Sequence, residues 1–140
     1  MHHLDLMAHI PGTNWVRRPD SEFFAAHDSI IETDRWIIEG NYSGCMKQRF
    51  MRADTVIWLD PPLWGTVGRY IRRSLKNDPT RPGRLQGARR EMNLYLIKYT
   101  LVNYPRNRHK YREIMAQNPH LNIIAIKSMD ELNLRFYNQV

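Results

Sequence analysis

The amino-acid sequence predicts an α/β fold built on a parallel, doubly wound sheet. Three observations carry this: short, continuously apolar segments rich in β-branched and aromatic residues, helical apolar periodicity between them, and a steady alternation of the two. Strand-like segments are Trp36-Ile37-Ile38, Thr55-Val56-Ile57-Trp58-Leu59 and Asn122-Ile123-Ile124-Ala125-Ile126. Their unbroken apolarity predicts strands covered on both faces, as in parallel sheets. His2-His3-Leu4 reads as the tail of a further strand.

The helices follow in order. Pro19-Asp20-Ser21-Glu22 opens the first, with Phe23, Phe24, His27, Ile30 and Ile31 on one face and an end near Thr33. The second starts at Pro62 and carries Trp64, Val67, Ile71 and Leu75 until Asn77-Asp78-Pro79 stops it. Two prolines and two glycines make the stretch from Asp78 to Gly87 a loop. A third helix is predicted from about Ala88 to Asn103, burying Met92, Tyr95, Leu96, Tyr99 and Val102. Pro105 suits the first turn of a separate fourth helix, with Tyr111, Ile114 and Met115 inward. Ser128-Met129-Asp130-Glu131 is a capping-box pattern ahead of Leu132 and Phe136, so a final helix closes the chain.

With 140 residues, 42% of them hydrophobic, one domain is expected. No apolar run of about 18 residues occurs and no charged-then-apolar leader opens the chain, so a soluble cytoplasmic protein with no membrane partner is expected. The single cysteine, Cys45, has no partner for an intramolecular disulfide and receives no role. The formal charge is +7, and the stretch from Arg69 to Arg90 alone sets seven arginines and one lysine against Asp78. A belt of this kind attracts phosphate, whether on a nucleotide or on a nucleic-acid backbone.

In doubly wound sheets ligands sit beyond the carboxyl ends of the strands. There the sequence places Glu39-Gly40-Asn41-Tyr42 and Asp60-Pro61-Pro62. Carboxylates so placed can orient hydrated magnesium beside phosphates, provided another part of the site holds those phosphates; the plainer reading makes Glu39 a turn former and Asp60 a helix N-cap. His2, His3, Asp5 and His9 match no zinc spacing and read as solvated. Tyr95, Tyr99 and Tyr104 read as helix core rather than as a stacking platform for bases.

The blocks Asp34-Arg35-Trp36-Ile37-Ile38-Glu39-Gly40-Asn41-Tyr42 and Ala53-Asp54-Thr55-Val56-Ile57-Trp58-Leu59-Asp60-Pro61-Pro62, with Arg49 between them, resemble the bacterial topology modulation proteins, which are adenylate kinase-related P-loop NTPases. The likeness runs on through Arg69, Arg72-Arg73, Arg81-Pro82, Glu91 and Tyr104-Pro105-Arg106-Asn107-Arg108 to the last strand and helix. It implies a nucleoside monophosphate kinase-like parallel sheet with flanking helices and an arginine-rich lid-like segment at about 69–90. By that resemblance Glu39 holds a magnesium-bound water, and Arg69 and Arg73 lie against the nucleotide. Arg81, Arg84, Arg89 and Arg90 clamp the transferred phosphoryl group, and Asp5, Asn41 and Arg49 face the acceptor substrate. ATP and Mg2+ are the cofactors it implies. Phosphoryl transfer suits such a set, because its transition state spreads charge over oxygens that arginine forks meet in pairs.

The family opens with a strand, a Gly-x-x-Gly-x-Gly-Lys-Ser/Thr loop and a helix, and no such loop pattern occurs in these 140 residues. That strand lies at the centre of the family's sheet, between the strands matching Trp36–Ile38 and Thr55–Leu59. The expectation is therefore a kinase-like domain missing its central first strand and P-loop, cut from a longer reading frame, binding nucleotide weakly and inactive as it stands. The alternative expectation is a basic nucleic-acid-binding or DNA-topology-related regulatory module. A third is an interaction protein whose gapped sheet takes a partner's strand or associates with itself.

Overall fold

The computed structural model describes residues 1–76, 78, 84–85 and 94–137, the Tyr95 side chain excepted. It is a mixed α/β structure whose strands form two separate two-stranded parallel sheets. The chain divides into two compact units, Met1–Arg52 with Asn77–Glu91, and Ala53–Lys76 with Met92–Val140.

In the first unit, β1 (His2–His3) pairs in parallel with β2 (Ile38–Glu39), His2 opposite Ile38 and His3 opposite Glu39. The predicted strand Trp36–Ile38 is thus shifted by one residue and shortened, because β1 offers only two residues to pair with, although the N–H of His2 still reaches the Ile37 carbonyl at 2.8 Å. Leu4 does not extend the strand: it opens α1 (Leu4–Ala8) and is wholly buried. The next helix, α2 (Asp20–Ile31), buries Phe23, His27 and Ile31, which recur every four residues and so share one face. Phe24, expected inside, is 36% exposed. A 3-10 turn at Ser43–Cys45 leads into α3 (Met46–Arg52), a helix that the sequence analysis did not foresee. Leu4, Ala8, Phe23 and Cys45 form the core, with Met7, Ile38 and Tyr42 packed around it. The Phe23 and Tyr42 rings lie 5.0 Å apart.

In the second unit, β3 (Thr55–Leu59) and β4 (Asn122–Ile126) run parallel in unbroken register from Thr55 opposite Asn122 to Leu59 opposite Ile126. Both have the predicted bounds, since β-branched runs flanked by polar residues leave little freedom at the ends. They are not covered on both faces. Ile57 and Leu59 are 50% and 59% exposed, so β3 alternates as a half-buried strand does.

From β3 the chain enters α4 (Leu63–Lys76), whose expected apolar stripe is buried only at Val67; Trp64 is 75% exposed and Leu75 65%. It packs against α5 (Leu94–Ala116), which runs through Pro105 without a break. This corrects the expectation of two helices meeting there. Proline deprives the Leu101 carbonyl of its usual partner four residues on, yet the helix continues on both sides. Of the residues expected inside, Leu96, Tyr99 and Val102 are exposed, Met92 and the Tyr95 side chain lie outside the described residues, and Met115 is buried as foreseen. The last helix, α6 (Met129–Phe136), is capped as predicted: Ser128 Oγ accepts from the Glu131 N–H at 3.0 Å, and Glu131 Oε2 reaches back to the Lys127 N–H at 2.8 Å. Among the described residues no helix is long and apolar enough to cross a membrane.

Candidate functional site

Two constellations lie at the carboxyl ends of the parallel pairs, one in each unit. In the first, β2 ends at Glu39 and the chain turns at Gly40. Gly40 adopts φ +127°, a region that disfavours side chains, and a Cβ there would meet Leu4 Cβ at 2.9 Å. The turn thus requires glycine on two counts. Glu39 Oε2 lies 2.8 Å from His3 Nδ1, its neighbour across the ladder.

The turn is held from beneath by Arg49 on α3. Its Nη1 donates to the Gly40 carbonyl at 3.3 Å and its Nη2 to the Tyr42 carbonyl at 3.2 Å, while the residue is only 5% exposed. Burial lowers the pKa of this guanidinium from its ordinary value. Its buried Nε has no hydrogen-bond partner among the described residues. Tyr42 donates its hydroxyl to Asp5 Oδ1 at 3.0 Å, and its phenol pKa is raised, first by burial and then by the Asp5 charge and hydrogen bond. Asp5, Glu39 and Arg49, which the sequence analysis named separately, are therefore tied to one another through Tyr42, Gly40 and the β1–β2 pair. Asn41 sits exposed in the same turn.

The second constellation surrounds Asp60, the residue after β3. Its N–H extends the ladder to the Ile126 carbonyl at 2.8 Å, and it is 6% exposed. The N-cap expectation is corrected here, because the carboxylate turns to α5 instead of to the start of α4. Tyr104 donates to Oδ1 at 3.2 Å and also to the Pro61 carbonyl. Arg108 donates from both Nε and Nη2 to Oδ2, and Arg112 Nη2 stands 3.9 Å from that oxygen with its guanidinium over the Trp58 ring. The Tyr104 phenol pKa is raised by burial and by Asp60, against opposing pulls from Arg108 and Arg69. The Asp60 hydrogen bond in turn raises the pKa of Arg108. The turn after β3, this face of α5 and Lys127 beyond β4 enclose a cleft of about 600 Å³.

Tyr104, Arg108 and Arg112 were missed as site residues. Their signal was present: a spacing of four places all three on one helical face. Reading a helix boundary at Pro105 split the set.

Of the predicted phosphate-side arginines, Arg69 and Arg73 belong to α4 and are exposed, Arg73 lying over the Tyr70 ring at 5.6 Å. Arg84 belongs to the first unit and is partly buried. Arg81, Arg89 and Arg90 lie outside the described residues. Among the described residues no group of three or more His, Cys, Asp or Glu side chains is arranged to hold a metal ion. Compared with protein-family models, with curated proteins and with solved structures, the chain matches none of them.

Proposed function

We propose that the chain carries the part of a P-loop kinase-like domain that follows the P-loop, and that it binds a nucleotide or another phosphorylated small molecule weakly. The observation that carries this reading is the Glu39-Gly40 turn, a strand-end carboxylate followed by an obligatory glycine at the carboxyl edge of a parallel pair. The strand pairing supports it too. In the family's plan the central strand separates the strand matching β2 from the strand matching β3, and the pairs that remain are β1 with β2 and β3 with β4.

In this reading Arg69 and Arg73 meet the nucleotide phosphates, and the clamp on the group to be transferred falls to the arginines of the 81–90 stretch, of which Arg84 alone is among the described residues. Glu39 would hold a water of the magnesium that accompanies ATP. Asp5, Asn41 and Arg49 would shape the acceptor pocket, where Arg49 acts by holding the carbonyls of Gly40 and Tyr42 in place. No ATP-dependent turnover is expected of these 140 residues, since the loop that cradles the β- and γ-phosphates has no counterpart in their sequence.

Calorimetric titration of the purified chain with MgATP tests the reading. Weak binding that fades with added salt, and that Arg69→Ala and Arg73→Ala each abolish, is the expected result. Unchanged affinity in both variants removes it.

A further inference from the structure

The cleft beside Asp60 has a charge imbalance that its own hydrogen bonds do not settle. Among the described residues lining it there is one carboxylate, Asp60, against three permanent cations, Arg108, Arg112 and Lys127. Arg108 is committed to Asp60, with two N–H groups on a single oxygen. Arg112 is held more loosely: it makes an ion pair with the same oxygen at 3.9 Å, beyond hydrogen-bond length, its guanidinium lies over the Trp58 ring, and its side chain is 56% exposed. Lys127 is fixed by its backbone, through the N–H held by Glu131, while its exposed ammonium has no carboxylate within ion-pair distance among the described residues. One carboxylate thus faces three cations, two of them with no hydrogen bond to it, across a cleft whose lining includes Pro61, Pro62 and Pro105.

We infer that this cleft binds the phosphate of a small organic phosphate, its oxyanion taken by Arg112 and Lys127 and its carbon skeleton laid against the prolines. An arginine fork and a lysine point charge together match a dianionic phosphate. The concave, partly apolar form suits a small molecule. A nucleic-acid backbone carries the same phosphate chemistry but needs a basic track, whereas here the two cations border one local cleft. None of the arginines assigned above to the kinase-like reading supplies these two cations, so the inference stands or falls separately from that reading.

The test is calorimetric titration of the full chain with inorganic pyrophosphate, and with a single-stranded oligonucleotide in parallel. Saturable pyrophosphate binding with a Kd of about 1 mM or tighter is expected. Arg112→Gln and Lys127→Gln should each weaken it about tenfold, and Lys47→Gln, an exposed position on α3 outside the cleft lining, should leave it unchanged. All three glutamine substitutions fall on exposed side chains, so unchanged circular dichroism is expected and separates lost binding from lost fold. Pyrophosphate affinity insensitive to both cleft substitutions overturns the inference. So does binding lost in Lys47→Gln alone, which would place the anion on α3, or oligonucleotide binding that needs Arg112 and Lys127 when pyrophosphate does not bind.

Discussion

Arg108 reaches Asp60 with Nε at 2.9 Å and Nη2 at 2.7 Å, and both nitrogens converge on Oδ2, leaving Oδ1 to the Tyr104 hydroxyl. The carboxylate is thus shared by two residues one helical turn apart on α5, and it ties that helix to the end of β3. A buried carboxylate held this way stabilises through its partners, and removing it strands them.

Asp60→Asn preserves volume and removes the charge, so Arg108 and Arg112 are left side by side with no counter-ion. The melting temperature should fall by several degrees, and added salt should recover part of the loss by screening the two guanidinium groups from each other. Tyr104→Phe keeps the charge pair and should lower the melting temperature less. Equal losses in the two variants, with no effect of salt, would show that the charge does not hold α5 to β3.

Gly40 and Gly12 offer a paired comparison, since both adopt positive φ but only Gly40 is crowded. Gly12→Ala meets nothing within 4 Å and should cost about 1 kcal/mol, the penalty of the backbone conformation alone. Gly40→Ala adds the contact with Leu4 Cβ at 2.9 Å and should cost about 2–3 kcal/mol in urea unfolding. Equal costs would mean that Leu4 yields freely.

Stability should decline on the alkaline side, in two stages. The Cys45 thiol and the phenols of Tyr42 and Tyr104 all have raised pKa values in the folded chain, with burial the leading cause in each. A raised acid keeps its full contribution while the unfolded group is still neutral, and loses it as the unfolded group ionises first. Loss from Cys45 should begin near pH 8.5 and loss from the tyrosines near pH 10, where such groups ordinarily titrate. Urea midpoints measured from pH 7 to 11 should show both, with Cys45→Ala removing the first and Tyr42→Phe reducing the second. A flat profile across that range would count against the buried settings of these groups.

Much of this was legible in the sequence where one short signal decided the outcome. Thr55–Leu59 and Asn122–Ile126 read as strands because nothing else suits β-branched runs so short, and Ser128 with Glu131 announced α6 by their spacing. What escaped depended on contacts distant in sequence. Met46–Arg52 has no capping signal, and its buried face is Met46 and Arg49, a methionine and a cation. Pro105 looked like a helix start because local propensity cannot show that packing carries a helix through it. That one misreading hid the Tyr104, Arg108 and Arg112 face. The residues around Glu39 were legible, but the support of Gly40 and Tyr42 by Arg49 was not, because it depends on the unforeseen α3.

The β3–β4 pair also sets a timetable. Each strand has only the other as neighbour among the described residues, and the two are separated in the chain by everything between Leu59 and Asn122, including α4 and α5. Closing so long an excursion must precede the first of the five cross-strand matches, while α5 can form from local contacts alone. During refolding, helical signal should therefore recover before the environment of Trp58 does, and the second unit should pass through an interval in which its helices exist and its sheet does not.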